Sequence, residues 1–426
     1  MKLEKILDDL FAMTYHAGIK PGLERITTLC ASIGDPHARL PVIHVAGTNG
    51  KGSTCSMIAS ILTHAGYRTG LYTSPHVRHF RERIRIDGVT ISDEDIARLA
   101  VPLMATARDI GGTFFEVTTA MALQYFAERR VDVVVLETGL GGRLDATNIV
   151  QPLMSIITQI DMDHMEYLGT TLTAIAGEKA GIIKHATPVV VGHHGADVRP
   201  VFERKAERER APIVFADDIV DVQCDRIFPD LQMSVAVTSI DDRRYMMTDL
   251  PGVHQTRNIA TVLAALPTLQ SIYHIEDTHV EQGLRRVRAT AGLSARCELV
   301  QMQPPVVHDV SHNPGGIRAL VDTLRNAGYP ERSFQVVFGA MSDKDVDGML
   351  DALLPIAHTV HLCSPHIPRS MPVHELTKRA IAIGHQSFTT SDSVGDAYRG
   401  ALTTEAPTVA CGSFHVIDEV RALSEQ

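Results

Sequence analysis

The sequence predicts an α/β protein of two domains, in which short buried strands alternate with helices. Apolar, β-branched runs recur through the first half, and helical patterns separate most of them, which is typical of parallel strands covered on both faces. A second strand–helix series follows residue 293, and the stretch 219–248 between the two series has no helical period and favours antiparallel strands. The predicted domains are therefore 1–293 and 294–426. The predicted strands are 41–47, 131–139, 153–160, 187–192 and 211–216, then 304–310, 334–340, 358–364 and 407–413.

Composition excludes several classes of protein. The chain has 426 residues, of which 44% are hydrophobic and 21% charged, as in ordinary globular proteins. A net charge of −10 argues against nucleic acid as the main partner. No apolar run is long enough to span a membrane, and the acidic residues in "MKLEKILDDLFAM" do not fit a signal peptide. The six cysteines are scattered without a C-x-x-C pair, so we expect a cytoplasmic protein with reduced thiols. We also expect a monomer.

A glycine-rich loop joins the first predicted strand to a helix in "VIHVAGTNGKGSTCSMIASILTHAG" (42–66). It departs from the usual phosphate loop because Gly52 follows Lys51 and the hydroxyl arrives one residue later, at Ser53. Glycines let backbone N–H groups approach phosphate oxygens, and the helix start adds partial positive charge. Lys51 can reach the β- and γ-phosphates, and Ser53 can face Mg²⁺. The pattern predicts an ATP site made of Gly47, Thr48, Asn49, Gly50, Lys51, Gly52 and Ser53.

Polar side chains follow three of the other predicted strands. Glu137 lies at the carboxyl end of the run 131–136, where ligands bind in open α/β sheets. Ser74 follows a strand and offers a hydroxyl, although it also fits a simple turn before proline. Asp161 and Asp163 follow 153–160, and their oxygens suit Mg²⁺ better than a histidine nitrogen does. These residues are candidates for a metal site.

Several motifs in one order resemble the folylpolyglutamate synthase and dihydrofolate synthase family of the Mur ligase superfamily. They are GTNGKGS, "SPHVRHFRERIRIDG" (74–88), "TFFEVTTAMA" (113–122), "LETGLGGRLDATN" (136–148), "DMDHMEYLG" (161–169), "IAGEKAGIIK" (175–184), "DVSHNPGG" (309–316) and "CGSFHVIDEV" (411–420). The resemblance implies an N-terminal P-loop Mur-ligase-type ATPase domain and a smaller C-terminal Rossmann-like domain. It also implies an ATP- and Mg²⁺-dependent ligase that adds L-glutamate to a reduced folate through an acyl phosphate.

The resemblance assigns further roles by position. It implies that Ser53, Ser74, Glu137 and His164 hold metal, whereas chemistry alone favours Asp161 or Asp163 over His164. It implies folate contacts at Phe115, Asp145 and Ala146, although Phe115 also fits core packing. In the remainder of the chain it implies that Asn258, Arg296 and Asp309 hold the nucleotide, and that His312 and Ser413 meet glutamate. The Trp and Gly that usually precede the family's arginine are absent before Arg296.

Lys179 in "IAGEKAGIIK" has two interpretations. By base rates it is a surface lysine in a helical ion pair. The resemblance implies instead that CO₂ carbamylates this lysine, which turns a cation into an anion with two oxygens and helps to order the metal site. Only a neutral amine reacts with CO₂, so the second interpretation requires burial or neighbouring positive charge to lower the pKa.

Three questions stay open at this level. "GIKPGLERI" has Lys20-Pro21 where bifunctional members of the family often carry an acidic residue, so use of dihydropteroate is uncertain. A cell-wall Mur ligase is an alternative, but "FFEVTTA" and "GLGGRLDATN" argue against it. A P-loop ATPase or switch that makes no bond is a second alternative, and it leaves the second strand–helix series and "DVSHNP" unexplained.

Overall fold

The structure of the chain is a computed structural model that describes residues 3–17, 20–239, 243–384 and 387–424. Its packing forms two units. The first comprises Met1–Val222, Val237–Arg244 and Arg257–Gly292, and the second comprises Gln223–Ala236, Tyr245–Thr256 and Leu293–Gln426. The last segment of the second unit begins beside the predicted boundary at 293/294, but two earlier segments also belong to this unit.

An eight-stranded sheet forms the centre of the first unit, in the order β4-β3-β2-β5-β1-β6-β7-β8. β1 pairs in parallel with both β5 and β6, whereas β2–β3 and β3–β4 are antiparallel. Every residue of β1 and β5 is buried, as expected of parallel strands covered on both faces. The strands are β1 (Val42–Ala46), β2 (Thr69–Tyr72), β3 (Ile84–Ile86), β4 (Val89–Thr90), β5 (Val133–Glu137), β6 (Met154–Ile157), β7 (Val189–Val191) and β8 (Ile213–Phe215).

Helices connect most of these strands and cover the sheet. Ser92 caps α4 and Thr113 caps α5 by accepting a backbone N–H from the residue three positions later, which satisfies part of each helix start. The helices before residue 293 are α1 (Leu3–Ala17), α2 (Glu24–Ser32), α3 (Lys51–His64), α4 (Asp93–Ile110), α5 (Phe114–Glu128), α6 (Met165–Leu168), α7 (Leu172–Ala180), α8 (Arg199–Glu209), α9 (Ala216–Ile219), α10 (Gln255–Gln270), α11 (Asp277–Arg285) and α12 (Val287–Ala291).

Helix α3, which follows the glycine-rich loop, is more deeply buried than its sequence predicts. The pattern indicates one apolar face, but every residue from Ser53 to Leu62 is buried. The reason is that α11 covers the polar side. Ser60 Oγ donates a hydrogen bond to the Gly283 carbonyl at 2.8 Å, and the backbone of Gly283 lies against Ile61. The C-terminal half of α3 is therefore held between the sheet and a second helix layer.

The stretch without a helical period forms a three-stranded sheet, in the order β11-β10-β9. Its strands are β9 (Asp221–Ile227), β10 (Met233–Thr238) and β11 (Arg243–Thr248).

The second unit contains a six-stranded sheet in the order β12-β13-β17-β14-β15-β16. β12 pairs antiparallel with β13, and the other pairs are parallel. Strands alternate with helices in both units, which confirms the predicted α/β fold class. The strands are β12 (Glu298–Met302), β13 (Pro305–His308), β14 (Phe334–Phe338), β15 (Ala357–Leu362), β16 (Phe388–Thr390) and β17 (Thr408–Cys411). The helices are α13 (Pro314–Asn326), α14 (Val346–Leu353), α15 (Val373–Ala382), α16 (Val394–Ala401) and α17 (Phe414–Ser424). In the described part of the chain, no helix combines the length and apolar composition needed to cross a membrane.

Candidate active site

The predicted phosphate loop connects β1 to α3 and is fixed by residues that follow β6. The Thr48 N–H donates to the Gln159 carbonyl at 2.8 Å, and Thr158 Oγ1 donates to the Asn49 carbonyl at 2.7 Å. Gly50 has φ 84°, and a side chain there would collide with Asn258. Backbone N–H groups at the start of α3 thus lie in a loop of defined shape, as a phosphate site requires. The structure places Asn258, which the resemblance implies to be a nucleotide contact, beside this loop.

Two lysines converge on the first residue of the loop. Lys51 Nζ donates to the carbonyls of Gly47 and Thr48 at 3.1 and 3.2 Å. Lys179 Nζ, from the end of α7, donates to the same Gly47 carbonyl at 2.8 Å. Burial, and then repulsion by Lys51, lowers the pKa of Lys179 to about 7. About half of the Lys179 amines are therefore neutral at neutral pH.

The surface ion pair considered for Lys179 is wrong. Its side chain is buried at 3% exposure, and the neighbouring Glu178 pairs instead with Arg143 at 2.8 Å. Helix α7 turns Lys179 inward and Glu178 outward, a distinction that local sequence does not determine.

The candidate metal ligands divide into a group that is buried beside the phosphate loop and a histidine that is half exposed. Glu137, at the end of β5, is 3% exposed and accepts the Ser74 N–H at 3.0 Å. Its carboxylate also lies beside Gly52, and Ser53 is buried in the first turn of α3. His164, in contrast, is about half exposed, and its Nε2 lies 3.6 Å from Asp163 Oδ2. Among the described residues, no three histidine, cysteine or acidic side chains form a ready metal-binding group.

This donor set fits a magnesium ion that arrives with a nucleotide. Mg²⁺ prefers oxygen ligands and commonly takes only one or two from the protein, the others coming from phosphate and water. Glu137 and Ser53 offer such oxygens beside the phosphate loop. Asp161, the alternative favoured by chemistry, also reaches this loop, because its Oδ2 accepts from Asn49 Nδ2 at 3.4 Å.

The predicted folate residues surround the turn that follows β5. The ring of Phe115 lies directly over Gly139, where any side chain would collide with it, and its centroid is 6.1 Å from that of Tyr72. Asp145 is buried and accepts hydrogen bonds from the N–H groups of Gly139 and Leu140 at 2.9 and 2.8 Å. The structure thus joins Phe115 and Asp145 through one turn.

Asp145 already has a full set of donors. Besides the two N–H groups of the turn, it accepts from the N–H and Oγ1 of Thr147 at 2.9 and 2.5 Å. Burial raises the pKa of Asp145, and these hydrogen bonds oppose that shift. Ala146 is buried directly after it. In this geometry the carboxylate of Asp145 shapes the turn, so its effect on a substrate would be exerted through backbone position.

Two predicted residues of the second unit contact the Phe414 ring, and two others are close to them in the chain or through the backbone. Asp309 follows β13 and accepts the N–H groups of Cys297 and Ser311 at 2.6 and 2.7 Å. The Arg296 guanidinium carbon lies 5.5 Å from the Phe414 ring centroid. Sequence reasoning missed Phe414, although its place after strand β17 was a signal.

His312 lies on another side of the same ring, with ring centroids 5.7 Å apart. Its Nδ1 lies 3.1 Å from the Val310 carbonyl. Because a carbonyl only accepts, Nδ1 donates to it, and in the neutral ring Nε2 then carries the lone pair. Ser413 is buried and accepts the Val416 N–H at 3.2 Å, which caps α17. Arginine, imidazole and a helix start thus collect at the carboxyl ends of β13 and β17, where ligands bind in parallel sheets.

Comparisons with known proteins agree with this architecture. Residues 45–266 match the family profile of the Mur ligase middle domain, and residues 295–410 match that of the Mur ligase glutamate ligase domain. The chain is 37% identical to the dihydrofolate synthase/folylpolyglutamate synthase of Bacillus subtilis over 95% of each chain.

Two solved structures are similar over nearly the whole chain. A Mycobacterium tuberculosis folylpolyglutamate synthase complexed with ADP superposes with a TM-score of 0.86, at 30% identity, over 100% of this chain and 99% of that one. A bifunctional folylpolyglutamate synthase/dihydrofolate synthase with Mn, AMPPNP and L-glutamate bound gives 0.81 at 32% identity, over 98% and 97%. The chain therefore belongs to the folylpolyglutamate synthase and dihydrofolate synthase family of ATP-dependent Mur ligases.

Proposed function

We propose that this chain uses ATP to join L-glutamate to a reduced folate that carries one or more glutamates. Residues 1–293 would bind ATP and folate, and residues 294–426 would bind glutamate. The observation that carries the proposal is the meeting of Lys51 and the buried Lys179 at the Gly47 carbonyl. A simple ATPase needs one loop lysine, whereas a second, buried lysine of lowered pKa beside the phosphate loop is suited to carbamylation, which would supply two oxygens that help to order the metal site.

The reaction would proceed in two steps. A folate carboxylate oxygen attacks the γ-phosphorus of ATP, ADP leaves, and an acyl phosphate forms. The amine of glutamate then attacks the acyl carbon, loses a proton, and expels phosphate. Positioning and charge stabilisation supply most of the catalysis in such transfers. Lys51 and the N–H groups from Gly47 to Ser53 would stabilise the phosphates, and His312 Nε2 is available to accept the proton of the amine.

Mg²⁺ would be held by Ser53, Ser74 and Glu137, with His164 as a further ligand if its loop rearranges. The ion would neutralise charge on the phosphates. Glu137 is positioned for this role because the Ser74 N–H fixes one of its oxygens beside the loop. Asn258, against Gly50, would keep the loop in shape around the nucleotide. In the second unit Asp309 would also keep a loop in shape for the nucleotide, because it fixes the backbone beside Arg296 and His312.

Folate would lie against Phe115 and the turn held by Asp145, with Ala146 lining the turn. An aromatic ring suits a pterin, which stacks on such faces. Glutamate would be met by His312 and Ser413. The six cysteines are all free, and five of them are buried, which supports action in the reducing cytoplasm. We expect the enzyme to act as a monomer.

One assay tests the proposal. The purified chain is incubated with ATP, Mg²⁺ and L-glutamate, and with either tetrahydrofolate or dihydropteroate, and the products are identified by mass. We expect ADP release to depend on both the folate and glutamate, with a product one glutamate heavier. ADP release without glutamate would support an ATPase or switch instead, and no product with either pteroate compound would overturn the proposal.

A further inference from the structure

Arg83 is a buried cation that forms no ion pair within the described part of the chain. It ends a short 3₁₀ turn before β3 and is only 7% exposed. Its Nε donates to His76 Nδ1 at 2.7 Å, and its guanidinium carbon lies 5.1 Å from the ring centroid of Phe114. Among the residues that the structure describes, no carboxylate forms an ion pair with it. Its direct partners are therefore an imidazole that accepts at Nδ1 and a phenyl ring. Burial lowers the pKa of Arg83, and the charges of Glu137 and Glu82 oppose this shift without contacting the guanidinium in an ion pair.

The nearest acid in sequence is already occupied. Glu82 accepts the backbone N–H groups of Val77, Arg78 and His79 at 2.9, 3.2 and 2.9 Å, so it closes the loop instead of pairing with Arg83. The two terminal nitrogens of Arg83 donate to no described residue, and neither is sealed from solvent. A buried guanidinium stays charged and carries its donors in a fixed fork that matches a carboxylate.

The location of Arg83 is on the proposed folate side. Its carbonyl accepts the Thr73 N–H at 3.1 Å, and the next residue, Ser74, donates to Glu137. Phe114, which its guanidinium covers, precedes Phe115 at the start of α5. Arg83 is therefore fixed to the loop that reaches the metal residues and also touches the helix that carries the candidate pterin contact.

The other substrates of the proposed reaction already have groups assigned to them. ATP phosphates have the loop and Lys51, and glutamate has His312 and Ser413 in the second unit. The terminal glutamate of a folate carries two carboxylates, of which one reacts and one does not. We propose, on the basis of the proposed function, that Arg83 binds the non-reacting carboxylate of the folate's terminal glutamate. Dihydropteroate has only the reacting carboxylate, so Arg83 would favour glutamylated folates over dihydropteroate.

The test compares two folates that differ only at this carboxylate. Tetrahydrofolate and its α-carboxamide are each assayed with wild-type chain, Arg83→Gln, Arg83→Lys and the control Arg85→Lys. Arg85 lies two residues along β3, and its Nη1 is engaged by the Gly88 carbonyl at 3.0 Å. Steady-state KM and kcat are measured for each pair, together with direct binding of both folates in the presence of a non-hydrolysable ATP analogue. Thermal melting checks folding.

The wild-type chain should bind the carboxylate form about 10–100-fold more tightly than the carboxamide, as for one charge-assisted hydrogen-bonded pair. Arg83→Gln should remove this preference by raising KM for tetrahydrofolate alone, with the KM for ATP unchanged, Arg83→Lys should restore part of it, and Arg85→Lys should keep it. Equal weakening of both folates would indicate a structural role and overturn the proposal, as would a wild-type chain without preference.

If Arg83→Gln does not fold, the preference for the carboxylate over the carboxamide in the wild-type chain and in Arg83→Lys still tests the proposal. Failure of the proposed function is distinguishable, because it would remove ligation while the binding measurement still reports the carboxylate preference.

Discussion

The sharpest prediction concerns Lys179. The structure buries this side chain against the phosphate loop and lowers its pKa from 10.5 to about 7. At pH 8 an amine of pKa 10.5 is roughly 0.3% neutral, whereas one of pKa about 7 is roughly 90% neutral. Burial thus multiplies the reactive form about 300-fold. The neutral amine can attack the carbon of CO₂ and lose a proton, which gives a carbamate with two anionic oxygens.

We expect Lys179→Ala to be nearly inactive and to be partly rescued by a short carboxylate such as acetate, which replaces the missing oxygens. Lys184→Ala is the matched control, because burial also lowers the pKa of Lys184 and its Nζ donates to the Asn148 carbonyl, away from the phosphate loop. The control should keep most of its activity. Turnover of each variant is measured with and without acetate.

Carbamylation itself is measured with ¹³CO₂ by NMR and by native mass of the intact protein. Activity should fall in CO₂-depleted buffer, and it should fall as pH drops below about 7, because the ammonium form does not react. Full activity of an enzyme whose Lys179 is unmodified under these conditions would refute the reasoning, as would an Ala variant that turns over normally.

The same pKa has a consequence for stability. Between pH 7 and 10.5 the unfolded lysine holds a proton that the buried one has lost, so stability in CO₂-free buffer should rise with pH across this window. Chemical denaturation of wild-type chain and Lys179→Ala at pH 7 and pH 9 measures this rise, which the variant should lack.

Four further predictions concern the rest of the site. Lys51→Ala should abolish ligation in a folded protein, since one lost phosphate contact typically costs about 10²-fold or more in rate; near-normal turnover would contradict the phosphate-loop interpretation. Glu137→Gln should raise the Mg²⁺ concentration needed for half-maximal activity and lower turnover sharply, because the amide keeps the shape without the charge; an unchanged Mg²⁺ titration would indicate a structural residue. Dihydropteroate should be the poorer substrate because Lys20-Pro21 stands where bifunctional members of the family often carry an acidic residue, and efficient complementation of a strain lacking dihydrofolate synthase would count against this. Asp145→Asn should raise KM for folate while leaving KM for ATP unchanged, because its amide nitrogen cannot accept from the turn; equal effects on both would point to general unfolding.

Much of the fold follows from local sequence. Each predicted buried run contains a strand, because continuous β-branched runs bounded by helices have few alternatives in a parallel sheet. The hairpin β3–β4 was not predicted as strands, although Ile84 and Ile86 alternate with Arg85. Edge strands such as β12 and β16 also lacked a clear signal, since only their short, partly exposed segments mark them.

The site could be predicted only in part, because its remaining features depend on distant contacts. The loop residues from Gly47 to Ser53 share one segment, so spacing alone identifies them. The burial of Lys179 depends on how α7 packs. Arg83 forms no ion pair with Glu82 because that carboxylate accepts backbone N–H groups instead. The assignment of Gln223–Ala236 and Tyr245–Thr256 to the second unit is likewise a property of packing over long sequence distances.

One strand connects the two halves of the site in the first unit. Thr147 Oγ1 donates its proton to Asp145, so it must accept one from His44 Nε2, which lies 2.8 Å away in the middle of β1. Burial lowers the pKa of His44 to about 3, which keeps the ring neutral, and the hydrogen bond to Thr147 holds its proton on Nε2. Three residues later the same strand reaches Gly47, where both lysines converge. The ATP loop and the folate turn are therefore positioned by a single buried strand, and a shift of β1 would move both substrates' sites together, which suits a reaction that requires a carboxylate in line with a phosphate.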